Sequence, residues 1–276
     1  MRSDDALQAW DGVAAAWERH ADRIQAQTAP VTKWLAATLD PIRGQTVLEL
    51  AAGPGDVGVT IGRGLGNEGR LISSDFAPEM VEVARRRVAA FGLDNVEFRM
   101  VDAQAINLPD DHVDGIVCRF GLMLMPDPDA ALRECRRILR AGGRLVFATW
   151  GPPERNPWIT VLGLAMLQRG HLPPADPFEP GGVFSMSDPE RVRTMLTGAG
   201  FSESEVGEVH ITQSFASLDE YWNVQSQISG SLASTIASLS EEGRSALKDT
   251  IRESLLTFTD EGEIKLPGVA IVASAG

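Results

Sequence analysis

The chain has few residues that could crosslink it, through disulfides or through a metal ion. Only two of its 276 residues are cysteines, and these and the four histidines lack the spacing of a zinc site. Cys118 lies in an apolar strand-like pattern and Cys135 in a helical one. We therefore predict two reduced core cysteines, no metal site and a fold that does not depend on disulfides.

Long apolar runs and positive charge are also scarce. The first residues, MRSDDALQAW, are charged, and the later apolar runs are broken by Arg, Asp or Gly. This pattern predicts a cytoplasmic protein with neither a signal peptide nor a membrane span. The net charge of −13 and the pI near 4.8 disfavour a nucleic-acid partner, because phosphate backbones repel an acidic surface.

The hydrophobic content of 43% is enough for one large core. The first forty residues are predicted to be helical, because Trp10, Val13, Ala14 and Trp17 recur at helical spacing. From Thr46 onwards, short β-rich runs alternate with helical ones. The five predicted strands are TVLELA, RLISSD, VEFRMV (ending at Asp102), VDGIVCRF and RLVFATW.

Two of the intervening helices have clear sequence signals. PEMVEVARRRVAAF places its apolar residues on one side, and DPDAALRECRRILRAGG has Asp127 as N-cap with Gly142 and Gly143 beyond its predicted end. Strands that alternate with helices predict a parallel sheet with helices on both faces. The ligand crevice of such a sheet lies outside the carboxyl ends of its strands.

After Trp150 the alternation is less regular. We predict a helix over NPWITVLGLAMLQRG, a proline-rich loop, a helix over SDPERVRTMLTGAGF and a strand over VHITQSF. Ser217 and Glu220 form a predicted capping box for further helices that extend to about Phe258, and PGVAIVAS is a last strand. We predict one continuous domain with a helical cap (1–40), a cofactor-binding core (41–150) and a C-terminal part with lid helices (151–276).

The glycine-rich motif AAGPGDVG places Gly53, Gly55 and Gly58 between a strand and a helix. Glycines in such a turn let a cofactor approach the backbone closely. Taken alone, the motif also fits a nicotinamide or flavin dinucleotide domain, with Asp75 in position to bind a ribose hydroxyl. Glu49 favours a different ligand, because a carboxylate there would crowd a pyrophosphate but could support a cationic group.

The segments ELAAGPG, SSDFAPEM, VDA and PDPDAALRECRRILRAGGRL resemble the class I S-adenosylmethionine-dependent methyltransferases, of the ubiquinone/menaquinone-biosynthesis type. The resemblance covers about Thr46 to Trp150. WDGVAAAW also resembles the aromatic-rich helix that caps the cofactor in that type, with Trp where Tyr is more usual. The resemblance implies a Rossmann-like α/β fold, in which a seven-stranded sheet has an antiparallel final strand and carries an inserted helical roof.

The resemblance also implies roles for individual residues. Gly53 and Gly55 would approach the methionine part of S-adenosylmethionine, and Glu49 would support its amino end. Asp75 would bind both ribose hydroxyls, Phe76 and Met80 would pack on the adenine, and Asp102 and Ala103 would read its edge. Arg119 and Phe120 would line the floor beside the sulfonium. The implied cofactor-binding residues are Trp17, Glu49, Ala51, Gly53, Gly55, Asp75, Phe76, Met80, Asp102, Ala103, Arg119 and Phe120.

No protein nucleophile is needed, because the sulfonium methyl is already electrophilic. Candidates for a general base are His20 and His171, with His112 and Tyr221 as further groups, and we predict that no single base dominates. An apolar roof of Trp158, Leu162, Leu164, Met166, Leu167, Phe178 and Phe184 favours a small apolar or aromatic acceptor, such as a quinone, polyketide or terpenoid. A homodimer is left open.

Structural interpretations compete with several of these assignments. The glycines at 62, 64 and 66 fit turns or helix packing, residues 122–125 fit either the core or a substrate wall, and Arg85–Arg87 fit a solvated helix face. Two other functions remain open at this stage. One is a nicotinamide-dependent oxidoreductase, and the other is a non-catalytic protein that binds the cofactor.

Overall fold

A computed structural model describes residues 3–276, so Met1 and Arg2 of the predicted cap lie outside it. One sheet of eight strands runs through the molecule. The strands are β1 (Thr46–Leu50), β2 (Arg70–Asp75), β3 (Val96–Met100), β4 (Val113–Arg119), β5 (Leu139–Trp150), β6 (Ser204–Phe215), β7 (Thr259–Asp260) and β8 (Glu263–Ala275).

The strand order is β3-β2-β1-β4-β5-β8-β6, with the short β7 paired to β8. Strands β1 to β5 pair in parallel, whereas β8 is antiparallel to both of its neighbours, β5 and β6. The predicted α/β fold with an antiparallel final strand is therefore confirmed. The two-residue β7 is an eighth strand that the sequence pattern did not indicate.

The helices connect these strands and pack on the sheet or on one another. They are α1 (Ser3–Leu39), α2 (Asp56–Leu65), α3 (Pro78–Ala90), α4 (Pro128–Ile138), α5 (Pro157–Gln168), α6 (Pro189–Gly198), α7 (Leu218–Ile228), α8 (Ser231–Ser238) and α9 (Glu241–Leu255). Helices α7, α8 and α9 form the insertion predicted between the last two long strands. Within residues 3–276, no helix is both long and apolar enough to span a membrane.

Helix α1 has the predicted apolar face and uses it in two places. Val13 and Ala14 are buried against Met80 of α3, with Trp10 and Trp17 packed around them. Further along the helix, Val31, Leu35 and Leu39 are part of the main core under the sheet. The first half of α1 thus lies against α3, and the second half is built into the sheet's core.

The boundary between α4 and β5 differs from the prediction. Asp127 caps the helix as predicted, by accepting a hydrogen bond from the Ala130 N–H at 2.8 Å. The helix ends at Ile138, however, and Leu139 already pairs with Val113 of β4 before a β-bulge. Gly142, with φ of +78°, and Gly143 therefore belong to the strand's irregular start and do not follow a helix end. Strand pairing at long range overrides the local helical pattern here.

The third strand also ends earlier than predicted, at Met100, so Asp102 lies in the loop that follows. Both cysteines are buried and unpaired, as predicted. Burial raises the pKa of the Cys118 thiol to about 12, which makes it inert at neutral pH.

The predicted apolar roof is not one surface. Leu162 and Met166 of α5 are buried in a second core formed with Leu247 and Ile251 of α9, and Phe184 belongs to the main core. Leu164, Leu167 and Phe178 are exposed. Helix α5 is apolar on most sides, so its sequence could not show which side faces the crevice. Trp158 lies near the carboxyl end of β5, where it meets Trp150, and the buried Phe184 precedes two residues that bond to Met123 and Thr149.

Candidate functional site

The carboxyl ends of β1 and β4 lie side by side where the strand order reverses direction, from β3-β2-β1 on one side to β4-β5 on the other. Such a reversal is where open parallel sheets bind ligands, because the flanking loops diverge and leave a crevice. The loop after β1 contains Ala51, Gly53 and Gly55, and β4 ends with Arg119 followed by Phe120. The sequence-predicted cofactor residues therefore meet at this edge.

The two loops have strained backbones. Ala51 and Phe120 are non-glycine residues with positive φ, at 51° and 63°, and Gly53 and Gly55 have φ of 52° and 82°. Left-handed conformations cost energy for residues with a side chain and concentrate at binding and catalytic sites. A Cβ on Gly121 would collide with the Ala51 side chain, so the loops are pressed together. Sequence reasoning did not identify Gly121.

Asp75, at the end of β2, joins the β1 loop to the start of α3. One carboxylate oxygen accepts a hydrogen bond from the Gly53 N–H at 2.9 Å, and the other accepts one from the Ala77 N–H at 3.0 Å. Burial raises the pKa of this carboxyl, although the backbone N–H groups act in the opposite direction. Each oxygen retains a second lone pair, so the carboxylate can still accept hydrogen bonds from a pair of ligand hydroxyls.

Glu49 lies beneath the glycine loop and not at its open side. Its carboxyl is buried and accepts hydrogen bonds from the Gly58 N–H and the Ser73 hydroxyl, both at 2.7 Å. A Cβ on Gly58 would collide with this carboxyl, which explains the third glycine of the motif. Burial raises the pKa of Glu49 to about 7. Its role toward the amino end of a cofactor stays a prediction.

Arg119 belongs to a buried cluster of charges. One guanidinium nitrogen, Nη1, donates to the hydroxyls of Thr28 and Thr32 on α1, each at 2.8 Å. The other, Nη2, lies 3.5 Å from Oδ2 of Asp56, the first residue of α2. Burial lowers the pKa of Arg119, whereas Asp56 and Glu49 raise it. The guanidinium is thus turned toward α1 and α2.

Arg87 completes this cluster and corrects a prediction. Its guanidinium lies 3.0 Å from Oδ1 of Asp56 and 2.9 Å from Asp22, and its side chain is 16% exposed. Arg85 and Arg86 are on a solvated helix face, as the sequence suggested, but Arg87 is not. The three arginines are consecutive, and helical geometry turns the third toward the start of α2.

The residues predicted for the adenine are spread over two layers. Met80 is buried under α1, whereas Phe76 is half-buried at the strand ends. Trp17 donates its indole N–H to the carbonyl of Ile228 at 3.1 Å, which fastens the cap helix to the end of α7. Met80 and Trp17 thus belong to the contacts of α1 with α3 and α7, and the part of these residues in binding adenine stays a prediction.

The loop after β3 is organised by a residue that the sequence did not indicate. Asp102 accepts hydrogen bonds from the backbone and the side-chain amide of Gln104, at 2.9 and 3.1 Å, and Ala103 is buried. The Gln104 carbonyl oxygen in turn accepts from the Asp127 N–H. Gln104 therefore holds the predicted adenine-reading pair in place.

An aromatic stack follows the β4 and β5 ends. Phe120 stacks on Trp150 with ring centroids 3.6 Å apart, and Trp158 meets Trp150 edge-on at 4.8 Å. Trp150 was identified in the sequence only as a strand end. The strand register explains its position, because the Phe120 N–H donates to the carbonyl of Ala148 on the neighbouring β5.

The base candidates differ in their surroundings. His20 is half-buried on α1 with a buried Nε2 that has no hydrogen-bond partner, and burial lowers its pKa. Tyr221 is fully buried, its hydroxyl lies 3.3 Å from the Trp158 carbonyl, and burial raises its pKa. His171 and His112 are half-buried in loops. Of the four, only His20 has a buried ring nitrogen without a partner among the described residues.

Comparison with known proteins adds to this geometry. Residues 27–158 match the model of the ubiE/COQ5 methyltransferase family. The ubiquinone/menaquinone biosynthesis C-methyltransferase UbiE of Hahella chejuensis is 33% identical over 153 residues, which are 55% of this chain and 61% of that protein. The UbiE of Escherichia coli O1:K1 is 37% identical over 116 residues, 42% of this chain and 46% of that protein.

Among solved structures, the YcgJ protein from Bacillus subtilis aligns with a TM-score of 0.60 at 20% identity, over 88% of this chain and 96% of that one. This likeness extends the shared fold beyond the family segment. The chain spans about half to three-fifths of the curated relatives it matches. The resemblance read from the sequence is confirmed for the segment that the family model covers: residues 27–158 match the ubiE/COQ5 methyltransferase family, and the chain shares its fold with the YcgJ protein.

Proposed function

We propose that this chain is an S-adenosylmethionine-dependent methyltransferase that acts on a small, largely apolar or aromatic acceptor. The observation that carries the proposal is a coincidence of two sets of residues. The family match covers residues 27–158, and the same segment supplies both strained loops and the acidic strand ends at the reversal of the sheet. The similarity to the family therefore includes the loops at the candidate site as well as the strands of the sheet.

The residues present fit this cofactor. A Cβ on Gly53 would meet nothing within 4 Å, so the space above this left-handed turn is open to a ligand. The Asp75 carboxylate, 2.9 Å from the Gly53 N–H, would hold the ribose hydroxyls next to the turn. Phe76, Asp102 and Ala103 would border the adenine. The bound cofactor supplies an electrophilic methyl group, and the chemistry resides there.

The protein's contribution is alignment and exclusion of water. Helix α1, fastened through Trp17 to Ile228 and through Arg119 to Thr28 and Thr32, covers the crevice. Holding an acceptor in line with the bond that breaks can lower a barrier by several kcal/mol, and by ~7–11 in favourable cases. If a proton must leave the acceptor, Nε2 of His20 is the first group to test as its receiver, because it is buried without a hydrogen-bond partner among the described residues.

The aromatic stack supports the proposed acceptor class. Phe120, Trp150 and Trp158 extend from the sheet reversal toward α5. The half-buried Phe120 and Trp158 would replace the broader apolar roof as the surface for a planar acceptor, with the buried Trp150 supporting them from within the core. Aromatic rings bind such molecules by stacking and by burial of apolar area. We expect exchange of Trp158 for Ala to raise KM for a quinol acceptor more than for the cofactor.

The cofactor is tested by calorimetric titration of the wild type and of Asp75→Asn with S-adenosylmethionine, S-adenosylhomocysteine and NADH. We expect binding of both adenosyl compounds, about a tenfold weakening in Asp75→Asn from the loss of charge-assisted hydrogen bonds, and no signal with NADH. The exposed Asp129→Asn is the matched control. NADH binding would overturn the proposal in favour of an oxidoreductase.

The reaction is tested by following S-adenosylhomocysteine release across quinol, polyphenol and terpenoid acceptors. Release with at least one apolar acceptor is the expected result. Tight cofactor binding without turnover on any acceptor would instead identify a non-catalytic binding protein. Turnover of highly charged acceptors alone would contradict the acceptor class but leave the cofactor assignment intact.

A further inference from the structure

The buried charges around Arg119 leave part of its guanidinium uncommitted. A guanidinium has five N–H donors. The two hydroxyls of Thr28 and Thr32 occupy Nη1, while Nη2 is 3.5 Å from Asp56 Oδ2, too far for a good hydrogen bond, and Nε donates to none of the described residues. The Arg119 side chain is only 8% exposed. A nearly buried guanidinium whose Nε has no acceptor among the described residues, and whose Nη2 has only the distant Asp56, can bind a second anion.

The start of α2 directs positive charge to the same place. Its N-cap residue is Gly55, which provides no side-chain cap, so the first-turn N–H groups rely on other acceptors. One of them, the Gly58 N–H, is bound by Glu49. The helix dipole adds a partial positive charge at this end. Arg119 and the α2 N-terminus therefore converge next to the glycine loop.

The rest of the cluster holds the guanidinium in position. Asp56 is 2% exposed, and its Oδ2 atom is buried without a hydrogen-bond partner among the described residues. Asp56 is held by Arg87 at 3.0 Å and forms an ion pair with Nη2 of Arg119 at 3.5 Å, so it fixes the position of the guanidinium and leaves Nε free. The threonines on α1 hold the opposite side of the guanidinium, and they link its orientation to the cap helix.

The charges of the proposed cofactor indicate which of its groups can lie next to the Arg119 guanidinium. A guanidinium beside the sulfonium would place two positive charges together in a site of low polarity, which is unfavourable. The same cofactor carries an α-carboxylate on its methionine end, and Arg–carboxylate pairs are strong and geometrically specific. The role beside the sulfonium, which the resemblance implied, is therefore less favourable than a role at the carboxylate.

We propose that Arg119 binds the α-carboxylate of S-adenosylmethionine through Nη2 and Nε, held in place by Thr28, Thr32 and Asp56. This inference rests on the proposed cofactor and adds to it the residue that recognises the amino-acid end. Because Thr28 and Thr32 lie on α1, recognition of the carboxylate also orders the cap helix over the crevice.

The test compares S-adenosylmethionine with decarboxylated S-adenosylmethionine, which differs only by the carboxylate, on the wild type, Arg119→Lys and Arg119→Gln. We expect Arg119→Gln to weaken binding of S-adenosylmethionine by about 10- to 100-fold, and binding of the decarboxylated compound by less than about threefold. The affinity of Arg119→Lys for S-adenosylmethionine should lie between those of the wild type and of Arg119→Gln. Lysine keeps the positive charge but lacks the planar set of N–H donors that binds a carboxylate with two hydrogen bonds.

Equal weakening for both compounds would overturn the proposal, since it would show that Arg119 only maintains the fold. If Arg119→Gln fails to fold, the double variant Thr28→Val, Thr32→Val serves instead, because it frees the guanidinium without removing its charge. That variant should lose affinity for S-adenosylmethionine selectively, and equal losses for both compounds would again count against the proposal. Failure of the wild type to bind either compound would refute the proposed cofactor itself.

Discussion

Glu49 brings a titratable carboxyl into the middle of the sheet. It lies in β1, is 2% exposed, and bonds the Gly58 N–H and the Ser73 hydroxyl. Burial raises its pKa from 4.5 to about 7, because desolvation of the charged form outweighs these hydrogen bonds. Near neutral pH the carboxyl therefore exchanges a proton while it supports the glycine loop above it.

The sign of this shift predicts how stability depends on pH. A carboxyl whose pKa is raised on folding stabilises the protein below its unfolded pKa of 4.5, and this contribution is lost as pH rises toward and past 7. At ~1.4 kcal/mol per pKa unit, the loss is at most about 3.5 kcal/mol. We expect Glu49→Gln to flatten the decline in unfolding free energy between pH 5 and pH 8.

Urea unfolding at pH 5, 6, 7 and 8 measures this effect. The side-chain amide that Glu49→Gln introduces can accept from Gly58 and donate to Ser73, so the packing is kept. The exposed Glu203→Gln is the control and should keep the wild-type slope. A Glu49→Gln profile as steep as the wild type would show that this carboxyl does not titrate in that range.

Helix α1 combines two kinds of attachment along one element. Residues Val31 and Leu35 are fully buried in the main core. The first half is held by the small Val13–Met80 cluster and by ion pairs at the surface, such as Glu18–Arg86. Exposed ion pairs contribute little, whereas core side chains contribute several kcal/mol. The two halves should therefore differ in local stability.

We expect Leu35→Ala to lower the free energy of unfolding by about 2–5 kcal/mol and Glu18→Gln to change it by less than about 0.5 kcal/mol. Chemical denaturation measures both. Hydrogen exchange should be faster in residues 6–24 than in residues 31–39, and added S-adenosylmethionine should slow exchange in the first segment. Uniform protection along α1 without ligand would contradict this division.

Across the whole molecule, two apolar cores share one sheet. Ile264 and Leu266, near the start of β8, are in the core formed by α5, α7 and α9, whereas Val272 and Ala273 of the same strand are in the main core. A single strand thus enters both cores, and it pairs with β5 and β6 along the way. Because one strand packs into both cores, unfolding of either core is expected to disrupt the other, so the molecule should unfold as one cooperative unit.

We therefore expect one unfolding transition, with coincident midpoints by far-UV circular dichroism and tryptophan fluorescence. Leu247→Ala, in the second core, should shift both probes together and cost about 2–5 kcal/mol. Leu132→Ala, in the main core, is the matched variant and should do the same. Separate transitions, with each variant moving only one of them, would show two independently folding parts.

Most of the Rossmann-like half follows from local patterns in the sequence. The periodicity of β2 and α3, the N-cap at Asp127 and the glycine turn at Gly53 and Gly55 depend on neighbours a few residues away. Adjacent parallel strands bring their carboxyl ends together, so the strand pattern by itself predicts that Asp75 and Phe120 lie at one edge of the sheet. The C-terminal helices and the long last strand were also predictable, although their bounds were not.

Tertiary structure alone decided what these residues contact. The pairing of Leu139 with Val113 replaced a predicted helix end by a strand, because a strand partner is remote in sequence. Burial of Arg87 and Arg119 around Asp56 depends on three elements meeting, and no local pattern encodes that meeting. Sequence by itself thus determined the fold class and the edge where the site lies. The packing of distant elements determined which charges are buried there, because burial is a property of the assembled chain.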